Sequence, residues 1–308
     1  MRRIIRIGTR SSPLALWQAQ WVKDRLEQHW PALRVELVPV KTSGDKFQNI
    51  SLSRIGGKGL FVKEIEEALQ AGRVDLAVHS VKDVPAVLPP GLTLSVIPQR
   101  EDPRDVLISP NGETLDELPE GSRVGTSSLR RQALLLHLRP DLDIAMLRGN
   151  VETRLRKQRD GEVEATILAA AGLKRLGLMP ERSHMLDERI FVPAVGQGAL
   201  GIETRVESDV EELLRPLHHV ETALAVTAER AFLGRMGGSC RTPLAAQATA
   251  RTEGVRLVAL IASPDGQIVL RGHEHGPPGT AEQLGIRLAE RLLVQGGNDI
   301  LARLEQEG

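Results

Sequence analysis

A strand–turn–helix pattern occurs twice in this chain and constrains its fold more than any other feature. Gly8-Thr9-Arg10-Ser11-Ser12 and Gly125-Thr126-Ser127-Ser128 each follow a short strand-like segment and precede an amphipathic helix. The first turn of a helix has backbone N–H groups without partners inside the helix, and such a terminus binds anions. Two of these turns facing one another would form a cleft for a small anionic ligand.

Strand-like and helix-like segments alternate through the N-terminal part of the chain, as they do in layered α/β domains. We predict a first helix that begins at Pro13, with Ser12 as its N-cap. Further predicted helices cover 59–70 and 151–159, and predicted strands cover 3–7, 35–40, 74–78, 144–147 and 165–170.

The C-terminal part groups its strands together instead of alternating them with helices. A predicted helix over 221–236, ended by Gly237-Gly238, precedes strands at 244–250, 255–262 and 267–271 and a helix at 281–294. This order is typical of a small α+β domain.

Two segments rich in Pro, Gly and charge, 97–105 and 193–201, are candidate hinges. A chain of 308 residues is also too long for one ordinary compact core. We therefore predict an α/β protein of three domains: residues 1–99 with 200–217, an inserted domain at 100–199, and an α+β domain at 218–308. The two α/β domains would form the cleft.

Charge and composition narrow the classes of function. The formal net charge is zero and aromatic residues make up 2%, which argues against a nucleic-acid partner. Residues 123–175 nevertheless hold eleven Lys or Arg against six Asp or Glu, which indicates either a solvated basic face or a cleft for a multiply negative ligand. We find no signal peptide or membrane span, and one cysteine fits a reducing compartment, so we expect a cytoplasmic protein without a membrane partner.

Several motifs resemble ligand sites but lack the required context. Gly196-Gln197-Gly198-Ala199-Leu200-Gly201 has dinucleotide-binding spacing, yet the residues after it look extended, so we predict a hinge or tight turn. Gly56-Gly57-Lys58-Gly59 lacks the Ser or Thr of a phosphate loop, although Lys58 could still bind a carboxylate. His218-His219 and His273-Glu274-His275 have no partners at metal-ligand spacing, so we expect no metal.

Two single residues are candidates for chemistry, and each has a structural alternative. Asp83 follows the strand at 74–78, where it either caps a turn or acts at the mouth of the sheet on protons or a developing cation. Cys240 is the only cysteine; it is either a small buried hydrophobe or a thiol that the neighbouring Arg241 activates. The residues by themselves leave both pairs of alternatives open.

Five arginines occupy turns or first helical turns along the expected cleft. The planar guanidinium group donates two parallel hydrogen bonds and therefore suits carboxylates. One such arginine could be a solvated surface residue, but five at equivalent places indicate a ligand with several carboxylates. They are Arg10, Arg130, Arg131, Arg148 and Arg154.

Seven motifs in order make the chain similar, over nearly its whole length, to the porphobilinogen deaminases, also called hydroxymethylbilane synthases. They are Thr9-Arg10-Ser11-Ser12-Pro13-Leu14-Ala15-Leu16-Trp17-Gln18-Ala19, Gly56-Gly57-Lys58-Gly59-Leu60-Phe61, His79-Ser80-Val81-Lys82-Asp83-Val84-Pro85, Arg100-Glu101-Asp102-Pro103-Arg104-Asp105, Val124-Gly125-Thr126-Ser127-Ser128-Leu129-Arg130-Arg131-Gln132, Leu147-Arg148-Gly149-Asn150-Val151 and Pro193-Ala194-Val195-Gly196-Gln197-Gly198.

This resemblance implies two domains like those of periplasmic solute-binding proteins, and a dipyrromethane cofactor joined by a thioether to Cys240. It implies a transferase that adds four porphobilinogen units head to tail with loss of ammonia, and then releases hydroxymethylbilane by hydrolysis. Asp83 falls on the family's catalytic aspartate. One departure is Ser239, which precedes the cysteine where the family commonly has glycine.

The resemblance also implies which residues hold the carboxylates of substrate and cofactor, and it implies a monomer that passes its product to uroporphyrinogen-III synthase. The expected binding residues are Arg10, Ser12, Lys58, Ser80, Lys82, Thr126, Ser127, Ser128, Arg130, Arg131, Arg148, Arg154 and Arg175.

Two other functions remain as alternatives. A solute-binding module for small polyanions would use the same cleft without chemistry and would leave Cys240 bare. A nicotinamide oxidoreductase would depend on the glycine motif at 196–201, which lacks the helix that a dinucleotide site requires.

Overall fold

The computed structural model describes residues 4–43, 62–237 and 242–307. Its strands are β1 Ile4–Thr9, β2 Arg34–Pro39, β3 Leu76–Ser80, β4 Leu92–Val96, β5 Asp105–Ile108, β6 Arg123–Gly125, β7 Asp143–Ala145, β8 Ala165–Ala169, β9 His184–Met185, β10 Leu200–Arg205, β11 Leu244–Arg251, β12 Gly254–Ala262 and β13 Val269–Gly276. Its α-helices are α1 Pro13–His29, α2 Lys63–Gln70, α3 Leu129–Leu138, α4 Val151–Arg159, α5 Ala170–Leu176, α6 Glu211–Leu214, α7 Val220–Arg235, α8 Ala281–Leu292 and α9 Asn298–Glu307.

Two five-stranded sheets share one design. The first has the order β2-β1-β3-β10-β4, and the second has the order β7-β6-β8-β5-β9. In each, the second strand in this order (β1 or β6) pairs in parallel with both neighbours, and the next two pairings along the sheet are antiparallel. The repeated strand–turn–helix motif therefore occupies equivalent places, after β1 and after β6.

The chain passes between these sheets twice. It leaves the first sheet after Val96 and enters the second at Asp105, and it returns between Met185 and Leu200. We call 97–104 and 186–199 the crossing segments. They overlap the candidate hinges, while the division of the chain into three domains stays a prediction.

A third sheet, β11-β12-β13, is an antiparallel meander. One of its faces packs on α7 and α8 around Phe232, Leu257 and Leu288, all fully buried. The other face brings Ala245 and Leu260 into a cluster with Leu107 and Leu134 of the second sheet's layer. These three sheets confirm the predicted class, two α/β layers followed by a small α+β unit.

Local signals located the helix ends well. Ser12 caps α1 by accepting a hydrogen bond from Ala15 N, and Pro13 takes the first helical position. Helix α4 has the predicted bounds, with Asn150 accepting from Thr153 N at 2.8 Å. The second helix begins at Lys63, and the part of its prediction at 59–61 lies outside the described residues.

The C-terminal helices differ from the prediction of one helix over 281–294. Helix α8 ends at Leu292, a wide helical turn covers Leu293–Gly297, and α9 follows as a helix that the sequence analysis did not predict. Gly296 has φ of +118°, which breaks the helical path and separates the two helices. Strand β13 also runs farther than predicted, to Gly276.

Gly285 has no side chain and therefore lets α8 pack directly on α7. We expect Gly285→Ala to lower the free energy of unfolding by about 2 kcal/mol, because the added methyl group would overlap α7. A Cβ at this position would overlap Ala228 O and lie 2.7 Å from Phe232 N. The matched control is Gly234→Ala on α7, where a Cβ would meet only Ala86 Cβ at 3.8 Å. This control should gain about 0.5 kcal/mol from helix propensity. Urea unfolding of both variants measures the difference, and equal stability of the two would contradict the packing.

Candidate active site

Asp83 lies where β3 ends in the first sheet. A 3-10 turn, Val81–Asp83, follows the strand directly, and we call it the Asp83 turn. Val81 N donates to Ala199 O at 3.0 Å, and Val84 N donates to Val81 O at 3.1 Å. The Asp83 side chain is half-buried, at the carboxyl end of a strand, where open α/β sheets bind their ligands.

The first hydroxyl-rich turn lies at the same edge of this sheet, because β1 and β3 are parallel. Gln18 of α1 donates from Nε2 to Ser80 Oγ at 3.0 Å and so joins that helix to the end of β3. Arg10, Ser12 and Ser80 are each half-buried there. The structure therefore brings these three predicted binding residues to the edge that carries Asp83.

The glycine motif at 196–201 packs against the Asp83 turn. Gly196 has φ of +69°, and a Cβ on it would lie 2.8 Å from Val81 Cβ. Gly198 has φ of +84°, and its Cβ would overlap Glu101 O. The motif is followed by strand β10 and not by the helix that a dinucleotide site requires. Its glycines instead allow two backbone segments to pack closely.

The second hydroxyl-rich turn begins α3. Ser128 caps the helix by accepting from Arg131 N, and Thr126 Oγ1 accepts from Ser128 N at 3.2 Å. Thr126 is buried, Ser128 is half-buried and Ser127 is exposed. The turn thus offers hydroxyls beside a helix N-terminus, as predicted for an anion site.

Arg130 and Arg131 meet Asp105, the first residue of β5. Arg130 Nη2 lies 2.7 Å from Asp105 Oδ2, and Arg131 Nη2 lies 2.7 Å from Asp105 Oδ1. The remaining contacts go to the backbone, from Arg130 Nη1 to Val192 O at 2.8 Å and from Arg131 Nη1 to Ile167 O at 2.9 Å. These two arginines, predicted as ligands for carboxylates, are therefore also cross-links between β5, β8 and a crossing segment.

The Asp105 carboxylate stays ionised although it is fully buried. Burial alone would raise its pKa, but the charges and hydrogen bonds of Arg130 and Arg131 outweigh burial and lower the pKa to about 2. One carboxylate faces two guanidinium groups, so this buried cluster carries a net positive charge. Arg130 Nε, buried as well, has no hydrogen-bond partner among the described residues.

Ionisable groups of the two sheets lie close enough to affect one another's pKa. Burial lowers the pKa of Lys82, Arg131 lowers it further, and Asp83 raises it. Burial likewise lowers the pKa of Arg154 to about 10, helped by the charges of Arg131 and Arg148 and opposed by Asp83. Asp83 from the first sheet thus lies within the field of arginines from the second, as the predicted cleft requires.

Arg175 of α5 contacts the protein itself. Its Nη2 donates to Gly198 O at 2.7 Å, and its guanidinium carbon lies 6.0 Å from the centre of the Trp17 ring. Burial lowers its pKa to about 10. Lys174 beside it pairs with Glu101 and Asp102 of a crossing segment. Helix α5 is thereby attached to both crossing segments.

Two predicted site residues, Lys58 and Cys240, lie outside the described residues, as does Ser239. Helix α7 ends at Arg235, five positions before the cysteine. Arg148 is half-buried, and its Nε lies 3.3 Å from Met146 Sδ. The structure thus groups Asp83 with most of the predicted binding residues, and the attachment residue stays a prediction.

A buried set of ionisable groups behind Asp83 was missed by the sequence analysis. His79 Nε2 of β3 lies 2.9 Å from Glu203 Oε2 of β10, and both side chains are almost fully buried. Burial and the charge of Glu203 raise the pKa of nearby Glu66 to about 7, although His79 opposes this. The sequence signal that could have revealed these residues was an acidic residue, Glu203, next to Ile202 in a largely apolar strand.

Glu229 was missed as well. This fully buried carboxylate of α7 accepts from Arg100 Nη1 at 2.6 Å, Gly196 N at 2.7 Å and Ala248 N at 2.7 Å. It therefore joins both crossing segments to the third sheet. No short sequence pattern predicts such a residue, since its partners are far apart in the chain.

Among the described residues, no cluster of three or more His, Cys, Asp or Glu side chains could hold a metal ion. Within the same ranges, no helix combines the length and the apolar character that a bilayer-crossing segment requires.

We expect Asp105→Asn to lower the free energy of unfolding at neutral pH by about 3–5 kcal/mol, because it leaves two buried guanidinium groups without a counter-charge. The folded-state pKa of Asp105, about 2, lies below the ordinary 3.8. Its stabilisation is therefore complete above about pH 4 and is lost as the pH falls towards 2.

The matched control is Asp187→Asn, since Asp187 pairs with the exposed Arg189 at 2.9 Å. This control should leave stability nearly unchanged, because its ion pair is exposed to water. Urea unfolding of both variants between pH 3 and pH 7 measures the difference. A small loss in Asp105→Asn, equal to that of the control, would contradict the role of Asp105.

Two family models match the chain in succession. One, described as "Porphobilinogen deaminase, dipyromethane cofactor binding domain", matches residues 5–212. The other, described as "Porphobilinogen deaminase, C-terminal domain", matches residues 223–294. The periplasmic aliphatic sulphonate binding protein SsuA from Escherichia coli is a similar solved structure, with a TM-score of 0.41 and 17% identity over 77% of this chain and 72% of that one. A likeness at this level carries no argument about function.

Curated relatives agree with the family models. The porphobilinogen deaminase of Syntrophotalea carbinolica is 55% identical over 302 residues, which is 98% of this chain and 96% of the relative. Those of Geotalea daltonii and Geobacter sulfurreducens are each 52% identical over 303 residues, 98% of this chain and 95% of each relative. With such identity over nearly full length, and a site that groups the aspartate and arginines of the matching motifs, the chain belongs to the porphobilinogen deaminase family.

Proposed function

We propose that this protein is a transferase that condenses four porphobilinogen units, head to tail, onto a dipyrromethane bound at Cys240. Ammonia is lost at each addition, and hydrolysis releases hydroxymethylbilane for tetrapyrrole and haem biosynthesis. The observation that carries this proposal is the pair of family matches, over 5–212 and 223–294. The site supports it, because Asp83 lies in the field of Lys82 and Arg154.

The donors at the site fit a dipyrromethane, which carries acetate and propionate groups. Four desolvated cations share two nearby carboxylates among the described residues, Asp83 and Asp105, so part of the positive charge still lacks a counter-charge, which is unfavourable in a buried place; the cations are Lys82, Arg130, Arg131 and Arg154. Carboxylates of a bound chain would supply that counter-charge. Nε of buried Arg130 has no partner in the part of the chain that the structure describes, and it is a further donor here.

The same cationic side chains suit the growing chain, because every added ring brings two more carboxylates. Hydroxyls of the two turns, Ser12 and Thr126 to Ser128, add neutral donors beside the helix N-termini. Arg10 and Arg148 are two further cations among the expected binding residues. Arg130 and Arg131 are held in advance by Asp105, so little rotamer entropy remains to be lost when a ligand binds.

Asp83 has the position of an electrostatic catalyst. When bound, the dipyrromethane supplies the free pyrrole carbon at which the chain grows. The Asp83 carboxylate would accept a hydrogen bond from the pyrrole N–H of the substrate and stabilise the positive charge that develops on it as ammonia leaves. The cations Lys82 and Arg154 lie close enough to Asp83 to interact with it electrostatically.

The cellular context and organisation of the protein belong to the same proposal. A single cysteine used for attachment is best preserved in a reducing cytoplasm. The candidate hinges at 97–105 and 193–201 would allow the first two domains to move relative to one another as the pyrrole chain lengthens. We further propose a monomer that passes its product to uroporphyrinogen-III synthase.

Attachment at Cys240 has a direct test. We expect the intact mass of the purified protein to exceed that of the bare chain by one dipyrromethane, and the protein to give a pyrrole colour reaction. Cys240→Ser should have the bare mass and no colour. A wild-type protein of bare mass that still binds porphobilinogen would instead support a solute-binding module.

For Asp83 we expect Asp83→Asn to keep the added mass and to bind porphobilinogen, but to turn over at least about 100-fold more slowly, because the charge that stabilises the developing cation is removed. Asp187→Asn, at an exposed ion pair, is the control and should turn over normally. Release of ammonia in a single turnover is the measurement. Near-normal release by Asp83→Asn would refute the role of Asp83.

A further inference from the structure

Arg230 of α7 binds the segment that directly follows Asp83. Its Nη1 donates to Val84 O at 3.3 Å, and its Nη2 donates to Pro85 O at 2.8 Å and to Ala86 O at 3.1 Å. Three consecutive carbonyl groups therefore accept from one guanidinium group. None of the motifs used to assign the function includes this arginine.

The fork of the guanidinium group is needed for this contact. Charged donors form stronger hydrogen bonds than neutral ones, and a planar fork reaches several acceptors in a fixed geometry. A lysine at the same position would keep the charge but would offer one flexible ammonium group. The bonds from Arg230 thus restrain the path of the backbone just after the Asp83 turn.

The field of a buried carboxylate acts on Arg230. Burial lowers the pKa of Arg230, and the negative field of Glu203 raises it. Glu203 lies on β10, fully buried, and its Oε2 is 2.9 Å from Nε2 of His79 on β3. The Asp83 turn is therefore held on both sides, by His79 and Glu203 before it and by Arg230 after it.

Helix α7 is itself held firmly at this point. Glu229, next to Arg230, accepts from Arg100 Nη1 at 2.6 Å and from Gly196 N at 2.7 Å. The helix then continues to Arg235, shortly before Cys240. The two neighbouring residues connect one helix both to the crossing segments and to the backbone that follows Asp83.

From these contacts we propose that Arg230 is a positioning residue, which sets the placement of the Asp83 carboxylate relative to the helix that leads to Cys240. This inference rests on the proposed catalytic role of Asp83. Arg230 acts through the backbone of residues 84–86 and does not itself contact substrate.

The test compares Arg230→Lys with Arg291→Lys in the full chain carrying its cofactor. Arg291 of α8 is the control, because it also donates to a backbone carbonyl, that of His273; it pairs in addition with Glu274. We expect Arg230→Lys to lower kcat about 10- to 100-fold, with KM and the added cofactor mass unchanged. Amide hydrogen exchange in residues 81–86 should become faster in Arg230→Lys alone.

A second variant, Arg230→Ala, tests the chemistry of the contact. Methylguanidinium should restore part of its kcat, and methylammonium should not, because only the former reproduces the fork. The double variant Asp83→Asn with Arg230→Lys should turn over no more slowly than Asp83→Asn alone, since both changes act on the same carboxylate.

The outcomes separate this inference from the proposed function. If Asp83→Asn is slow but Arg230→Lys has the kcat of Arg291→Lys, the positioning role is overturned while the role of Asp83 stands. A lower melting temperature in Arg230→Lys, with unchanged kcat per cofactor-loaded molecule and unchanged exchange at 81–86, overturns it in the same way. Near-normal turnover by Asp83→Asn would refute the proposed catalytic role itself.

Discussion

The pairing of one buried carboxylate with two buried guanidinium groups is the interaction on which the site depends. Asp105 begins β5, where the chain enters the second sheet, and Arg130 and Arg131 begin α3 after the second hydroxyl-rich turn. Their contact joins the start of β5 to the second hydroxyl-rich turn. Because one negative charge faces two positive ones, the desolvated turn keeps a positive excess, which a ligand with several carboxylates can neutralise.

The third sheet contributes to the same site through α7. Glu229 binds both crossing segments, and Arg230 binds the backbone after Asp83. A helix that packs on the C-terminal sheet is therefore hydrogen-bonded to the crossing segments and to the segment that follows Asp83. Any motion of the two five-stranded sheets relative to one another would have to preserve these buried bonds or exchange them for others, because leaving buried charges unpaired is costly.

Local chemistry accounts for what the sequence predicted well. Ser12 and Ser128 accept hydrogen bonds from the first turns of their helices, and α4 has its predicted ends, since caps and apolar periodicity involve residues a few positions apart. Helix α9 was missed because the last predicted helix ended at Val294, whereas the chain becomes helical again after Gly296 and Gly297. His79 and Glu203 were missed because 124 positions separate them.

The sequence by itself determined the α/β alternation, the two hydroxyl-rich turns and the family, and the resemblance to porphobilinogen deaminases is confirmed over nearly the whole chain. Only the tertiary structure decided which partners the arginines have. Arg130 and Arg131 meet Asp105, Arg175 meets Gly198 O, and Arg230 meets the backbone after Asp83. A guanidinium group can bind any carboxylate or carbonyl within reach, and strand pairings between distant parts of the chain determine which ones come within reach.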